Sequence, residues 1–385
     1  MKNLLVTVSP HVSGPYTFFI TLKNGMKKYG WNVMGLNLTD KTEADGFIAI
    51  SPSEQDVIND ELALLLSKYH IDVFLPISYI EFHIAARHIK THTKIIKVSM
   101  VLNYDILLIN RDYTDMFVVT TPRQYSDLIN LGIESNKLQI IPFSTYLYGT
   151  KTNKNESVKL GFIGRISHPR KGVLFIPRIF SSIRKKQKNV KLKYLGGGQD
   201  LNALKMMHFF DRLANRVEFT GMFQIEDIPR LASDIDIFLM PSKSEGFGIV
   251  LIEAMSMGIV PIVSRIEGVT DWIVEDGLSG FVVDRNEKTF VEKALYLIEN
   301  PKKRKAMAKQ ARQRVVEMFT VEIVSERYAE LLEKVLDLPD INTSNLTPEK
   351  IEPLKTPKAK KKKMSFIPDF VKNIYKVINI KRTRF

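Results

Sequence analysis

Two glutamates eight residues apart, Glu245 and Glu253, lie in the stretch of this chain whose residue types are best suited to chemistry. An apolar strand pattern, Ile235–Leu239, precedes them, and a glycine-containing turn leads into an apolar run typical of a buried helix. Glu245 falls in the turn, where the free N–H groups of the helix also point. Glu253 is expected a little over two turns into the helix. Burying a carboxylate in so apolar a helix is unfavourable unless the carboxylate has a hydrogen-bond or charge partner.

This pattern predicts a site for a phosphorylated sugar or a nucleotide. A carboxylate can accept two hydrogen bonds from vicinal hydroxyls, such as those of a ribose. The helix N-terminus near Gly246 and Gly248 would stabilise a phosphate through its N–H groups and its dipole. The alternative is a capped core helix in which Glu253 has an internal partner, because buried carboxylates mark functional sites only in some cases.

A second stretch, residues 161–172, combines glycines with cations at the end of a predicted strand. Gly164 and Arg165 end the strand, and a basic loop leads to Lys171. Arginine binds phosphate with a planar fork and lysine with a point charge, so the two can converge on two phosphates. Their charge would stabilise a departing diphosphate. The alternative is a solvated basic loop.

Weaker signals lie elsewhere. Gly14 falls in the first strand-to-helix turn, where open α/β sheets bind ligands, although a plain tight turn also explains it. The triplet 196–198 permits the close approach of a ligand or of the other domain, with a loose loop as the alternative. Asp234 and Asp236 have the spacing of a metal-binding pair, but they alternate with isoleucines, which favours strand-edge polarity.

The histidines of the first half lack metal-ligand spacing, and we expect them to be solvated or capped. They are His11, His70, His83, His88 and His92. We therefore predict no metal site and no cofactor.

The composition is that of an ordinary globular protein. The chain has 385 residues, 44% of them hydrophobic and 25% charged, which is enough for two domains with proper cores. The absence of cysteine excludes disulfides, thiol catalysis and cysteine-ligated zinc. The apolar runs are shorter than the ~20 residues of a membrane span and shorter than a signal peptide requires, so cytoplasmic residence is the default expectation.

Strand and helix patterns alternate along the chain, which predicts an α/β fold with two doubly wound, Rossmann-like domains. The carboxyl edges of their parallel sheets should face a shared cleft. We place a first domain at 1–150, a second domain at 156–320 and a closing helix at 321–338.

The last 47 residues supply most of the net positive charge. The net charge is +14, and residues 339–385 supply +8 of it, from twelve Lys/Arg and four Asp/Glu. Residues 339–365 are typical of a Lys/Pro-rich linker. Residues 366–385 form a basic amphipathic pattern that could bind an anionic membrane surface, with docking on a protein as the alternative. Nucleic acid is not an expected partner, because only the tail is strongly basic.

Together these motifs resemble those of the retaining glycosyltransferases of the GT-B fold, in glycosyltransferase family four. The resemblance covers residues 1 to about 336 and is most specific at 161–172 and 235–284. Its paired-glutamate signature matches Glu245 and Glu253, and its Gly-Arg…Lys-Gly motif matches residues 164–172.

The resemblance implies a role for each matching residue. Glu253 would hold the ribose of a nucleotide-diphosphate sugar, and Glu245 would contact the sugar. Arg165 and Lys171 would bind the diphosphate and stabilise its departure without a metal. The backbone of the next segment would contact phosphate or sugar, namely Gly246, Phe247 and Gly248.

Four departures from the family pattern concern the acceptor side and the basic loop. The loop is one residue longer than usual, so Arg170 competes with Lys171 for its role. The first domain lacks the usual histidine, for which Asn103 or Asp105 could substitute. Residues 142–144 read Pro-Phe-Ser instead of Pro-Asn-Gly, and Asp271 stands where a glutamate is usual.

The function hypothesis is a metal-independent retaining glycosyltransferase that moves a sugar onto a glycan or lipid-linked acceptor in cell-surface polysaccharide or glycolipid synthesis. It would be cytoplasmic or peripheral on the inner face of the cell membrane. Two alternatives stay open: a nucleotide-sugar epimerase on the same scaffold, and a non-catalytic GT-B-fold binding or tethering subunit.

Overall fold

The computed structural model of the chain describes residues 1–10, 13–39, 47–89, 93–100, 102, 104–149 and 157–341. Its two sheets belong to one compact unit, Met1–Thr347. The prediction for the basic segment 366–385, and most of that for the linker 339–365, lies outside the described residues.

The first sheet is parallel throughout, in the order β3-β2-β1-β4-β5-β6-β7. Its strands are Lys2–Thr7 (β1), Trp31–Leu38 (β2), Phe47–Ile50 (β3), Val73–Pro76 (β4), Lys94–Val98 (β5), Met116–Val119 (β6) and Leu138–Ile140 (β7). The helices between them are Gly14–Met26 (α1), Gln55–Lys68 (α2), Ile80–Ala85 (α3), Asp105–Leu108 (α4) and Pro122–Asn130 (α5).

The second sheet repeats this topology with six parallel strands, in the order β10-β9-β8-β11-β12-β13. Its strands are Val158–Ile163 (β8), Val190–Leu195 (β9), Val217–Phe219 (β10), Ile237–Met240 (β11), Val260–Ser264 (β12) and Phe281–Val283 (β13). The helices of this half are His168–Lys171 (α6), Ile176–Lys186 (α7), Leu201–Phe210 (α8), Ile228–Ala232 (α9), Ile249–Ser256 (α10), Thr270–Ile273 (α11), Glu287–Glu299 (α12), Pro301–Met318 (α13) and Val321–Leu336 (α14).

The predicted fold class is therefore confirmed: both halves are doubly wound α/β sheets. The strand order reverses direction between β1 and β4 in the first sheet and between β8 and β11 in the second. Ligands of such sheets bind at this switch point, outside the carboxyl ends of the strands. The domain boundaries drawn from the sequence stay predictions.

Some elements differ from the sequence-based expectation. The sequence pattern predicts a helix over Glu61–Tyr69, but helix α2 begins earlier, at Gln55. The pattern predicts no strand where the short strand β3 lies. Helix α10 begins only at Ile249, so Glu253 lies one turn into the helix, and the expected two turns were wrong. The reason is Gly248, whose φ of +94° continues the turn up to that residue.

The last helix, α14, lies on the first half of the molecule. Phe18 of α1 contacts the ring of Tyr328 at 5.8 Å. Gly25 of α1 permits the close approach, because a Cβ at this position would lie 1.8 Å from Ser325 Oγ. The chain thus crosses back after the second sheet and ties the two halves together.

The two sheets also meet at their carboxyl edges. Gln124 Nε2 of α5 lies 3.4 Å from Gly246 O, and Arg123 N donates to Gly268 O at 3.3 Å. The rings of Phe143 and Phe247 are in edge contact at 5.3 Å. The expected cleft is therefore bounded by direct contacts between the loops of both sheets.

Within the described ranges, no helix is both long enough and apolar enough to cross a bilayer.

Candidate functional site

Strands β8 and β11 are neighbours at the switch point of the second sheet. Their carboxyl ends carry the two stretches that the sequence singled out, residues 164–172 and 241–248. Although these stretches are about 75 residues apart in the chain, adjacent parallel strands bring them to the same edge.

The two loops are fastened to each other through their backbones. Lys243 N donates to Arg170 O at 2.7 Å. Gly172 ends α6 in the left-handed conformation, with φ +65°. A Cβ on Gly172 would lie 2.0 Å from Pro241 O, so only glycine permits this approach.

This contact places the side chain of Lys171 on Glu245. Lys171 Nζ lies 2.8 Å from both carboxylate oxygens. The Glu245 side chain is 5% exposed and that of Lys171 25%. A carboxylate buried to this extent requires a partner, and the bidentate contact supplies one.

Arg170 and Lys171 differ in what their side chains contact. Arg170 is exposed and contributes only its carbonyl to the contact with Lys243. Lys171 is the cation of the basic loop that reaches the glutamate.

Glu253 is buried in α10, with 4% of its surface exposed. Burial raises its pKa to about 7, because the ionised carboxylate loses its hydration. Within the described residues its carboxylate makes no hydrogen bond or ion pair. The core-helix alternative requires an internal partner for this acid, and the described part of the chain does not provide one.

Two residues of the first half lie close to α10. A Cβ on the exposed Gly14 would lie 3.6 Å from the side chain of Ile249, the first residue of α10. The phenol of Tyr148, on the connection between the sheets, has a pKa raised first by burial and then by the charge of Glu253. Glu253 therefore faces the side of the second sheet that meets the first.

The other residues of the 246–248 segment, predicted to bind the donor substrate, differ in their burial. Gly246 and Phe247 are buried, and the Phe247 ring packs edge-on against Trp272 and Phe319 as well as Phe143. The Phe247 side chain is thus part of the contact between the two halves. Gly248 is half-buried at the start of α10.

Arg165 is exposed, and among the described residues no hydrogen bond or ion pair holds its side chain. Its neighbour Gly164 is packed against the 196–198 triplet, because a Cβ on Gly196 would lie 2.0 Å from Gly164 O. The loose-loop alternative was therefore wrong, because the triplet is packed against the backbone of another loop in the second half. The close approach of a ligand or of the other domain to the triplet stays a prediction.

The two aspartates, Asp234 and Asp236, contact residues of neighbouring strands in the second sheet. Asp236 Oδ2 accepts from Lys159 N at 2.9 Å, and Asp234 Oδ1 lies 3.3 Å from Lys193 Nζ. In the described portion of the chain no three His, Asp or Glu side chains are grouped as metal ligands.

One expectation about the histidines was wrong. His83 is neither solvated nor capped: it is 3% exposed, and its Nδ1 has no hydrogen-bond partner in the ranges described. Burial, followed by the charge of Lys97, lowers its pKa to about 3. His11 and His92 lie outside the described residues.

The acceptor-side candidates are partly outside the structure. Asp105 is exposed at the start of α4, and Asn103 is not among the described residues. Phe143, which replaces the usual asparagine, is buried against Phe18 and Phe247. Nothing in the sequence indicates that Tyr148 or Arg285 would border the site, because neither belongs to a local motif.

Comparison with known proteins shows that the part of the chain containing this site is similar to a known family. Residues 149–314, which include both loops and α10, match the family model described as Glycosyl transferases group 1.

Two relatives show the extent of the sequence similarity. The capsular polysaccharide biosynthesis glycosyltransferase CapM of Staphylococcus aureus is 26% identical over 238 residues, which cover 60% of this chain and 61% of the relative. A GDP-mannose-dependent alpha-(1-6)-phosphatidylinositol monomannoside mannosyltransferase of Mycolicibacterium smegmatis is 31% identical over 172 residues, covering 43% and 45%. The chain thus spans about half of the length of these relatives.

Solved structures show the same fold over most of the chain. A glycosyltransferase from Rickettsia africae superposes with a TM-score of 0.73 at 17% identity, covering 88% of this chain and 99% of that one. Anabaena HepE in complex with UDP gives a TM-score of 0.73 at 18% identity, covering 87% and 100%.

The paired loops at the switch point, the family match and the shared architecture agree with one another. The chain has the GT-B fold, and its residues 149–314 match the model of the glycosyl transferases group 1 family.

Proposed function

We propose that this protein is a retaining glycosyltransferase that moves a sugar from a nucleoside-diphosphate sugar to a glycan or lipid-linked acceptor. The observation that carries the proposal is the bidentate Lys171–Glu245 ion pair at the switch point of the second sheet. It places a cation beside the N-terminus of α10, where a diphosphate is favoured by helix N–H groups and dipole.

Glu253 supports a nucleoside on the same helix. Its carboxylate is buried without a partner in the described residues, and a ribose offers two vicinal hydroxyls as donors. Ligand hydroxyls would replace the hydration that the carboxylate has lost, so binding should favour its ionised form. We therefore expect nucleotide affinity to rise as the pH increases from 6 to 8.

In the proposed transfer, the bond between the anomeric carbon and the phosphate oxygen breaks as the acceptor oxygen attacks from the same face. The acceptor hydroxyl gives its proton to the leaving phosphate. Lys171 and Arg165 stabilise the negative charge that develops on the diphosphate. Glu245 orients the Lys171 ammonium and lies where it can contact the donor sugar.

The relatives agree with this class of reaction. One is named for capsular polysaccharide biosynthesis and another for GDP-mannose-dependent transfer to a phosphatidylinositol mannoside. HepE was solved in complex with UDP and with UDP-glucose. We propose that this chain likewise acts in cell-surface polysaccharide or glycolipid synthesis.

The test is release of nucleoside diphosphate from UDP- and GDP-sugars by the full chain. We expect Lys171→Ala and Glu253→Ala each to lower the rate by about 100-fold or more, the range seen for loss of one transition-state stabiliser. Lys188→Ala is the matched control, because this exposed lysine lies between α7 and β9 at the opposite, amino edge of the sheet.

Sugar-nucleotide binding without turnover for any donor would contradict the proposal and favour a binding or tethering subunit. Interconversion of the free sugar nucleotide would favour an epimerase.

We also propose that the reaction needs no metal, because Arg165 and Lys171 can supply the positive charge for the diphosphate. Turnover should persist in EDTA. Loss of turnover in EDTA, with recovery on adding Mg²⁺ or Mn²⁺, would contradict this.

For the tail we propose binding to an anionic membrane surface on the cytoplasmic side. Replacing the four lysines 360–363 by Gln in the full chain should reduce flotation with phosphatidylglycerol liposomes. The matched control replaces four exposed lysines of α13 and changes the charge equally; they are Lys302, Lys303, Lys305 and Lys309. Equal flotation of both variants and the wild type would exclude a role for the tail.

A further inference from the structure

Arg285 lies just beyond β13, at the carboxyl edge of the second sheet, and its side chain reaches the base of the Lys171–Glu245 site. Its Nε donates to Pro241 O at 3.0 Å. The centre of its guanidinium group lies 4.3 Å from the ring centre of Phe175, which follows the basic loop. A half-buried arginine so placed makes both a directed hydrogen bond and a cation–π contact.

The same carbonyl is the point where the two site loops touch. A Cβ on Gly172 would lie 2.0 Å from Pro241 O and 3.3 Å from Arg285 Nη2. Gly172, Pro241 and the guanidinium group therefore meet at one place. Lys171 directly precedes Gly172, and Glu245 follows Pro241 by four residues.

The separation of the two loops controls where the Lys171 ammonium lies. One backbone hydrogen bond, from Lys243 to Arg170, joins them on one side. Arg285 fixes them on the other side, to the last strand and to Phe175. Without it the Pro241 carbonyl loses a charged donor and the loops lose a rigid connection to the sheet.

We propose that Arg285 is a positioning residue for the phosphate site: it holds the 241–245 loop against Gly172 so that Lys171 is preorganised for the diphosphate. This inference rests on the proposed function, since it assigns Arg285 to the same donor site. Arg285 acts through Lys171, so its effect on ligand binding requires that lysine.

The first test measures Lys171 directly, in the full chain without ligand. Amine labelling followed by mass spectrometry reports the reactivity of each lysine. We expect Arg285→Gln to increase the labelling rate of Lys171, because a displaced ammonium leaves its carboxylate partner. Arg230→Gln is the matched control, since this arginine is 72% exposed and pairs only locally with Asp227.

The second test measures UDP and GDP binding by calorimetry. We expect Arg285→Gln to weaken the nucleotide that binds the wild type by roughly tenfold, as small misplacements of a binding group do. Arg285→Lys should recover part of this loss, because it keeps a charged donor. In a Lys171→Ala background, Arg285→Gln should have little further effect.

The outcomes separate the two claims. Unchanged Lys171 labelling in Arg285→Gln would overturn the inference, as would an effect on binding equal in the presence and absence of Lys171. A wild type that binds neither nucleotide, with Lys171 labelling still increased in Arg285→Gln, would count against the proposed function and leave the positioning role supported.

Discussion

At the scale of single residues, Glu253 combines deep burial with the lack of a partner in the described residues. Its pKa of about 7 lies above the ordinary value of 4.5. Between these two values the unfolded chain releases the proton while the folded chain keeps it. The unfolded state then binds fewer protons, so the free energy of unfolding falls as the pH rises through this window.

This pH dependence of the free energy of unfolding gives a first prediction. Between pH 4.5 and 7 the wild type should lose about 3 kcal/mol of unfolding free energy on account of Glu253. Glu253→Gln cannot ionise and should not show this loss, so it should be more stable than the wild type at pH 8 while binding nucleotide more weakly. Urea unfolding at pH 5 and pH 8 measures the difference, and parallel pH dependences would contradict it.

Lys171 and Glu245 give a second prediction at this scale. Lys171→Met leaves the buried Glu245 carboxylate unpaired, and we expect a loss of about 2 kcal/mol in unfolding free energy at pH 7. Adding Glu245→Gln should recover part of this loss, because the buried charge is then removed. Thermal and urea unfolding of the single and double variants provide the cycle; a Lys171→Met variant as stable as the wild type would contradict it.

At the scale of elements, short glycine turns decide how the loops after β8 and β11 meet. Gly172 has φ +65° and lies against a backbone carbonyl, which cannot move as the end of a flexible side chain can. Gly277 has a similar φ of +77° but nothing within 4 Å of its missing Cβ. Comparing substitutions at these two glycines separates the effect of a positive φ from the effect of a close contact.

We therefore predict that Gly172→Ala destabilises the protein by at least about 2 kcal/mol more than Gly277→Ala. Both variants bear the strain of a positive φ, but only the first collides with Pro241. Nucleotide binding should weaken in Gly172→Ala alone, because Lys171 is the preceding residue. Chemical denaturation and calorimetry check both parts, and equal behaviour of the two variants would show that the loop contact is unimportant.

At the scale of the whole molecule, α14 fastens the end of the second half onto α1 of the first. Gly25 would place a Cβ 1.8 Å from Ser325 Oγ and 2.9 Å from Val321 Cγ1. Replacing glycine by alanine normally stabilises a helix by up to about 1 kcal/mol. Here we expect the substitution to destabilise the protein instead, because the new methyl group would collide with α14.

We predict that Gly25→Ala lowers the Tm and that Ser325→Gly, added to it, restores part of the loss. The physical reason is space, since removing the serine side chain frees the volume that the new methyl group needs. Differential scanning calorimetry of the three variants tests this. A Gly25→Ala variant with a raised Tm would mean that the two helices are not in firm contact.

The sequence by itself determined the fold class and singled out the two loops of the candidate site. Alternating strand and helix patterns predict doubly wound sheets because their periodicities are local properties. The glycines at 164, 172 and 248 fall where the structure has left-handed or otherwise positive φ values, and the loops containing Lys171 and Glu245 lie where they were expected.

Tertiary structure alone decided which side chains meet. Contacts between distant segments determine three features of the candidate site. Lys171 and not Arg170 contacts Glu245, Glu253 is buried without a partner among the described residues, and the rings of Phe143 and Phe247 are in edge contact. His83 is buried because packing overrides local pattern. Lys171 and Glu245 are 74 residues apart and become neighbours because adjacent parallel strands end at the same edge of the sheet. The periodicity of the sequence predicts the strands but does not show which of them are adjacent.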